Sequence, residues 1–216
     1  TGNVPKVRTM AGSAFFLQSK LLCLDLVNTV VVAVGERKDM LTGFPALIAW
    51  MERTGTLSAG AGRAVLSRWD GTPTGRKLLR EAIALRGVLH AMAGRLVAGT
   101  SAGADAIAAV NRVLSWRPGY PQLVRIPQGY VSRFHPLAES PIQLLVPVAV
   151  SAAWLVEQGD RSLLRRCQNP SCILFFYDST RNKRRRWCSM DGCGSRAKMA
   201  AYYRRKAERT IRTGRD

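Results

Sequence analysis

Apolar residues recur at helical spacing through most of the first 160 positions of the chain. The clearest apolar stripe lies in residues 74–98, where it predicts one long helix that ends at Gly99. The same spacing predicts a buried helix over 15–34, although the β-branched run Val30–Val32 weakens that prediction. Shorter helices are predicted over 45–54, 59–69, 104–114 and 141–157.

The apolar pattern changes near residue 120. Residues 123–126 and 130–134 are typical of two short strands, and Pro127-Gln128-Gly129 between them has the chemistry of a hairpin turn. The sequence therefore predicts a mainly α (α+β) fold, in which a helical N-terminal domain contains one small β-hairpin.

Composition divides the chain near residue 160. Before that point it is rich in Ala, Leu and Val, and after it in Arg. We expect an N-terminal extension over 1–14, a helical domain over 15–160 and a small C-terminal module over 161–216. At 47% hydrophobic residues the chain is not of disordered composition.

Charge is concentrated in the C-terminal module. The whole chain has a formal net charge of +19, and residues 161–216 hold 16 Lys and Arg against 4 acids. Such a patch favours a polyanion, because each neutralised phosphate releases counterions; the alternative is a solvated basic surface. The candidate nucleic-acid-binding residues are Arg181, Lys183, Arg184, Arg185, Arg186, Arg196, Lys198, Arg204 and Arg205.

Four of the five cysteines form two pairs in the same module. The spacing is Cys167-x4-Cys172, then 15 residues, then Cys188-x4-Cys193. Two short pairs that close a longer loop suit one tetrahedral structural zinc ion, with no open position for catalysis. An iron–sulfur cluster, free thiols and disulfides are the alternatives.

The residues around the cysteines predict a treble-clef-like module. A strand over 173–177 and a returning segment over 184–187 would form a hairpin, followed by a helix over 195–210 with Ser195 as its N-cap. We expect its small core to be separate from that of the helical domain.

Asp25 and Asn28 are polar residues within an apolar segment. On a helix they would share one face, and buried polar groups need partners. One interpretation is a structural network with an arginine such as Arg80 or Arg86. The other is one wall of a small-molecule pocket. No phosphate loop, nucleophile motif or catalytic carboxylate pair is present, so we expect no enzymatic activity.

No segment of the sequence has the pattern of a membrane span or of a secretory signal, which predicts a cytoplasmic protein without a membrane partner.

Two motifs carry a family resemblance. The stretch from Cys167 to Lys198 contains Cys193-Gly194-Ser195-Arg196 and resembles the CGNR zinc finger of bacterial proteins, with Ser in place of the usual Asn. Residues 24–29, Leu-Asp-Leu-Val-Asn-Thr, resemble the motif that opens the ABATE domain of the same proteins.

The resemblance covers nearly the whole chain and implies a stress-induced transcription regulator. It implies that the finger binds DNA and that the larger domain senses a small-molecule effector or forms a homodimer. An RNA-binding protein and a zinc-stabilised protein-interaction module are the alternatives.

Overall fold

The computed structural model describes residues 15–33, 35–116, 119–136 and 140–213, so the expected extension over 1–14 lies outside the described residues. The regular elements in chain order are α1 (Leu22–Val27), β1 (Val30–Ala33), β2 (Glu36–Asp39), α2 (Phe44–Thr54), α3 (Ala59–Trp69), α4 (Pro73–Val97), α5 (Ala104–Leu114), β3 (Gly119–Ile126), β4 (Gly129–Pro136), α6 (Val146–Glu157), β5 (Leu164–Arg166), β6 (Phe175–Tyr177) and α7 (Ser195–Thr213). The mainly helical fold with small two-stranded sheets is confirmed.

Helix α4 forms where the apolar stripe predicts one long helix, and it packs against several other helices. The buried stripe of α4 is contacted by α1, α2, α3 and α5. Thr72 caps its first turn by accepting a hydrogen bond from the Gly75 backbone N–H at 3.2 Å. Gly75 also lets α4 start close to the end of α3, because a Cβ there would lie 2.3 Å from the Trp69 carbonyl oxygen.

The predicted helix over 15–34 is wrong outside its middle third. Only Leu22–Val27 are helical, and the β-branched run that follows becomes β1, paired antiparallel with β2. Strand β2 consists of four exposed polar residues, Glu36–Asp39, which give no alternating apolar signal. The described part of the helical domain therefore contains two hairpins rather than one.

The second hairpin, β3–β4, is longer than predicted. Its strands pair from Gly119 with Pro136 to Ile126 with Gly129, around the Pro127–Gln128 turn. Leu123 and Tyr130 are 73% and 71% exposed on it.

The helix predicted over 141–157 begins with a 3-10 turn, Pro141–Leu145, and continues as α6. Pro147 lies in the first turn of α6, where its missing N–H breaks no helical hydrogen bond.

The C-terminal module shares its core with the helical domain, so the expectation of a separate core is wrong. Leu163, Leu164, Phe175 and Tyr177 pack in the same buried cluster as the helices. Phe16 and Val31 of the N-terminal part pack in turn against the cysteines. We call this contact between α1, β1, α4 and the β5–β6 hairpin the domain junction.

Within the part of the chain that the structure describes, no helix is both long and apolar enough to cross a lipid bilayer.

Candidate metal centre and nucleic-acid interface

The β5–β6 hairpin presents the first cysteine pair at its tip. Arg166 pairs with Phe175 at the end of the ladder, and just beyond it the Cys167 backbone N–H donates to the Leu174 carbonyl at 2.9 Å. The Cys172 backbone N–H donates to the Asn169 carbonyl at 2.9 Å and closes the turn. This turn holds both sulfurs on one side of the hairpin tip.

A wide helical turn, Met190–Gly194, carries Cys193 at the entry to α7, and Cys188 lies two residues before this turn. The Ser189 hydroxyl caps this turn by accepting from the Gly192 backbone N–H at 3.1 Å. Ser195, predicted as the N-cap, instead donates its hydroxyl hydrogen bond to the Met190 carbonyl, so that prediction is wrong. A Cβ at Gly194 would lie 2.6 Å from the sulfur of the exposed Met190 side chain and 3.2 Å from the Trp187 ring, so there is little space beside this glycine.

The four cysteine sulfurs fit one zinc ion. All four side chains are buried, and their sulfurs lie within 4.8 Å of one another. The Cys172–Cys188 and Cys188–Cys193 sulfur distances are 3.8 and 3.6 Å. Four sulfurs bound at about 2.3 Å from one tetrahedral ion would be about 3.8 Å apart. The predicted set of metal ligands is therefore brought together at the spacing that zinc requires.

Chemistry at the site also favours a cation. The pKa of Cys188 is raised by its side-chain hydrogen bonds with Cys167 and Cys172 and by its burial. Several thiolates at this spacing repel one another unless a dication lies between them. Bound zinc would supply a structural cross-link between the hairpin and α7, since four thiolates leave no open coordination position.

Two of the arginines predicted to bind nucleic acid contact the metal centre. Arg196 donates to the Cys193 sulfur at 3.2 Å, where its charge offsets the negative charge of the thiolates. The Arg185 guanidinium donates to the carbonyls of Trp187, Gln18 and Cys188. It also lies 4.3 Å from the centre of the Phe176 ring. The Arg185 side chain is therefore committed to the fold of the module.

Asp178, which the sequence analysis missed, organises the loop that carries Arg185. Its fully buried carboxylate accepts from the Thr180 backbone and hydroxyl and from the Arg185 backbone N–H. The signal in the sequence was an Asp followed by Ser-Thr directly after a strand, which is typical of an Asx turn. The loop replaces the predicted returning strand over 184–187, and β6 pairs with β5 instead.

Asn28 joins the two parts of the chain. Its amide nitrogen donates to the Phe175 carbonyl at 2.7 Å, and its amide oxygen accepts from the Phe175 backbone N–H at 3.0 Å. The side chain thus pairs with β6 as a neighbouring strand would. Both Asn28 and Asp25 are buried, as the sequence predicts.

Asp25 binds Ser19 rather than an arginine. Its Oδ1 accepts from the Ser19 hydroxyl at 2.6 Å, while Oδ2 has no partner in the described structure. Burial raises the pKa of Asp25 to about 7 despite the Ser19 hydrogen bond. The Ser19 carbonyl accepts from the Tyr177 backbone N–H, so Asp25 also supports the domain junction. Arg86, one predicted partner, pairs with Asp39 instead.

The remaining predicted basic residues lie on the surface. The exposed members are Arg181, Lys183, Arg184 and Arg186 on the loop, and Lys198, Arg204 and Arg205 on α7. Helix α7 packs mainly against the Met190–Gly194 turn, and its described side chains from Tyr202 to Glu208 are all exposed.

The comparisons with known proteins agree with this architecture. Residues 21–159 match the family model ABATE, described as "Putative stress-induced transcription regulator", and residues 163–206 match the CGNR zinc finger. A search of curated proteins gave no match. The chain belongs to the ABATE family and carries a CGNR zinc finger at its C-terminal end.

Proposed function

We propose that this protein is a DNA-binding transcription regulator, in which zinc fixes α7 for insertion into a duplex and the ABATE domain senses a small-molecule effector or mediates dimerisation. The observation that carries the proposal is α7 itself. It is a 19-residue basic helix that extends from the metal centre with most of its surface uncovered by other described elements. The proposal includes no catalytic step.

The side chains of α7 differ in their position around the helix axis, and this position indicates which of them face the protein body. Ala197 and Ala201 are half-buried and mark the side of the helix nearest the protein body. At 100° per residue, Met199, Tyr202 and Tyr203 lie on the opposite side, where they are 52%, 54% and 59% exposed.

Large, partly apolar side chains on the outer face of a basic helix are suited to the floor of a major groove. Lys198 and Arg205 lie on one flank of this face, where they would reach phosphates along the groove wall. Arg184 and Arg186 on the loop extend the same charge beyond the helix.

Selection of bound fragments from a random DNA pool with zinc-loaded protein tests this function. The selected duplex is then titrated with salt. If about five phosphates are contacted, log affinity should fall with log salt at a slope of about −4 to −5. No enriched sequence together with salt-insensitive binding would refute the proposal and favour a protein-interaction module. Stronger binding to structured RNA than to duplex DNA in competition would favour the RNA-binding alternative.

A further inference from the structure

A second cationic cluster lies at the domain junction, apart from α7. Arg166 of β5 is the cross-strand partner of Phe175, so the two side chains point to the same side of the hairpin. The His90 ring of α4 packs edge-on against the Phe175 ring, with a centroid distance of 5.4 Å. Asn28 holds the Phe175 backbone in place. Arg166 and His90 therefore flank the same fixed aromatic ring.

Strand β2 brings a third basic side chain to this place. Asp39 forms a two-pronged ion pair with Arg86 at 2.6 and 2.5 Å, which fixes β2 against α4. Arg37 lies two residues from Asp39, on the same face of β2. His90 lies one turn after Arg86, on the same face of α4. The ion pair therefore holds β2, with Arg37, against the face of α4 that carries His90.

The electrostatics of His90 agree with this placement. The pKa of His90 is lowered first by burial, and then by the positive charges of Arg166 and Arg37. Asp39, the carboxylate on the same face of β2 as Arg37, is engaged by Arg86. Within the described residues, the side chains of Arg37 and Arg166 form no hydrogen bond or ion pair, and both are exposed.

The two guanidinium groups of Arg37 and Arg166 repel each other and oppose protonation of His90, and an anion with several acceptor oxygens would offset both effects. Guanidinium groups bind phosphate oxygens through two parallel N–H bonds, and an imidazole N–H can supply a further one. We propose that Arg37, His90 and Arg166 form a phosphate-binding site at the junction between the ABATE domain and the zinc finger. The phosphate belongs either to a nucleic-acid backbone or to a small phosphate-bearing molecule.

The pKa of His90 reports whether the proposed phosphate site is occupied. The chain has two histidines, so their ring protons can be followed separately by NMR, and His90→Gln assigns the signal. The pKa of His90 is measured at constant ionic strength in sodium chloride, in inorganic phosphate, and with a short duplex DNA. A bound phosphate dianion should raise this pKa by about half a unit to one unit.

Arg37→Gln and Arg166→Gln should each remove most of the rise, whereas Arg63→Gln, at an exposed arginine of α3, should leave it unchanged. Zinc content is measured for every variant, and Arg37→Gln decides the outcome if Arg166→Gln loses the metal. A rise with duplex but not with inorganic phosphate assigns the site to the nucleic-acid backbone. A rise with inorganic phosphate assigns it to a small phosphate, even if the protein binds no DNA. The proposal is overturned if neither anion raises the pKa of His90. It is also overturned if this pKa rises as much in both arginine variants as in the wild type.

Discussion

Asn28→Ala should destabilise both parts of the molecule at once. The substitution removes two hydrogen bonds, of 2.7 and 3.0 Å, and leaves the Phe175 N–H and C=O without partners in a buried place. Each unpaired buried backbone group costs about 1–3 kcal/mol, so we expect a loss of about 3–5 kcal/mol in the free energy of unfolding. For a chain of this size that corresponds to a fall of about 6–20 °C in the unfolding temperature.

Zinc retention should fall together with stability. Phe175 lies three residues after the ligand Cys172, and its strand partner Arg166 directly precedes Cys167. If the amide of Asn28 stabilises the zinc-binding conformation of this hairpin, each 1.4 kcal/mol lost should weaken zinc binding by about tenfold. We therefore expect zinc transfer to a chelator to be at least about tenfold faster in Asn28→Ala.

Three measurements test this reasoning. Circular dichroism follows helix unfolding, a colorimetric chelator follows zinc release, and amide hydrogen exchange follows the N–H of Phe175. Asn111→Ala, at an exposed asparagine of α5, is the matched control and should stay within about 0.5 kcal/mol of the wild type. Unchanged stability in Asn28→Ala, or lower helix stability with an unaltered rate of zinc release, would refute the coupling.

Three further expectations follow from the same contacts. The purified protein should hold one zinc ion per chain by elemental analysis. A Cys188→Ser/Cys193→Ser variant should lose the zinc. Its helices should also unfold at lower temperature, because the helical domain and the C-terminal module share a core. Asp25→Asn should unfold with a flatter pH dependence than the wild type, whose stability should fall as pH rises from about 4 to about 7, because the folded carboxyl keeps a proton that the unfolded chain releases. Chemical denaturation measures the free energy of unfolding of both proteins. Relative to the wild type, that of Asp25→Asn should rise by about 2–4 kcal/mol between pH about 4 and about 7, and a constant difference would contradict the assignment. Arg184→Ala should reduce the slope of log affinity against log salt in DNA binding by about one unit and leave the unfolding temperature unchanged. Arg185→Ala should instead lower the unfolding temperature, because its guanidinium holds backbone carbonyls of the module. Equal effects of the two substitutions would contradict these roles.

Local pattern predicts the elements whose structure is decided locally. Helix α4 could be predicted because an apolar stripe, a capping Thr72 and a terminal Gly99 all agree along one segment. The zinc ligands could be predicted because their spacing alone restricts the chemistry. Strand β2 could not, because its four residues are polar and its position depends on Arg86, which lies 47 residues from Asp39 in sequence.

The basic run at 183–186 shows a different limit. In sequence Arg184 and Arg185 are equivalent neighbours, and both were predicted to bind nucleic acid. The structure separates them, because Asp178 fixes the Arg185 backbone and three carbonyls accept from its guanidinium, while Arg184 stays exposed. Which arginine is committed to the fold depends on acceptors from distant parts of the chain, such as Gln18, and no local pattern reports them.

The partner of Asn28 could not be predicted either, because it also lies far away in the sequence. The contact between them gives the motif at residues 24–29 a physical role. Asn28 lies 147 residues from Phe175, yet the two are joined by both hydrogen bonds of an amide. An effector that shifts α1 in the ABATE domain must therefore either carry β6 with it or break those bonds. Because the turn that holds the first cysteine pair leads directly into β6, either response reaches the metal centre. Zinc in turn fixes the start of α7, so a change at α1 would alter how the proposed DNA-binding helix is held.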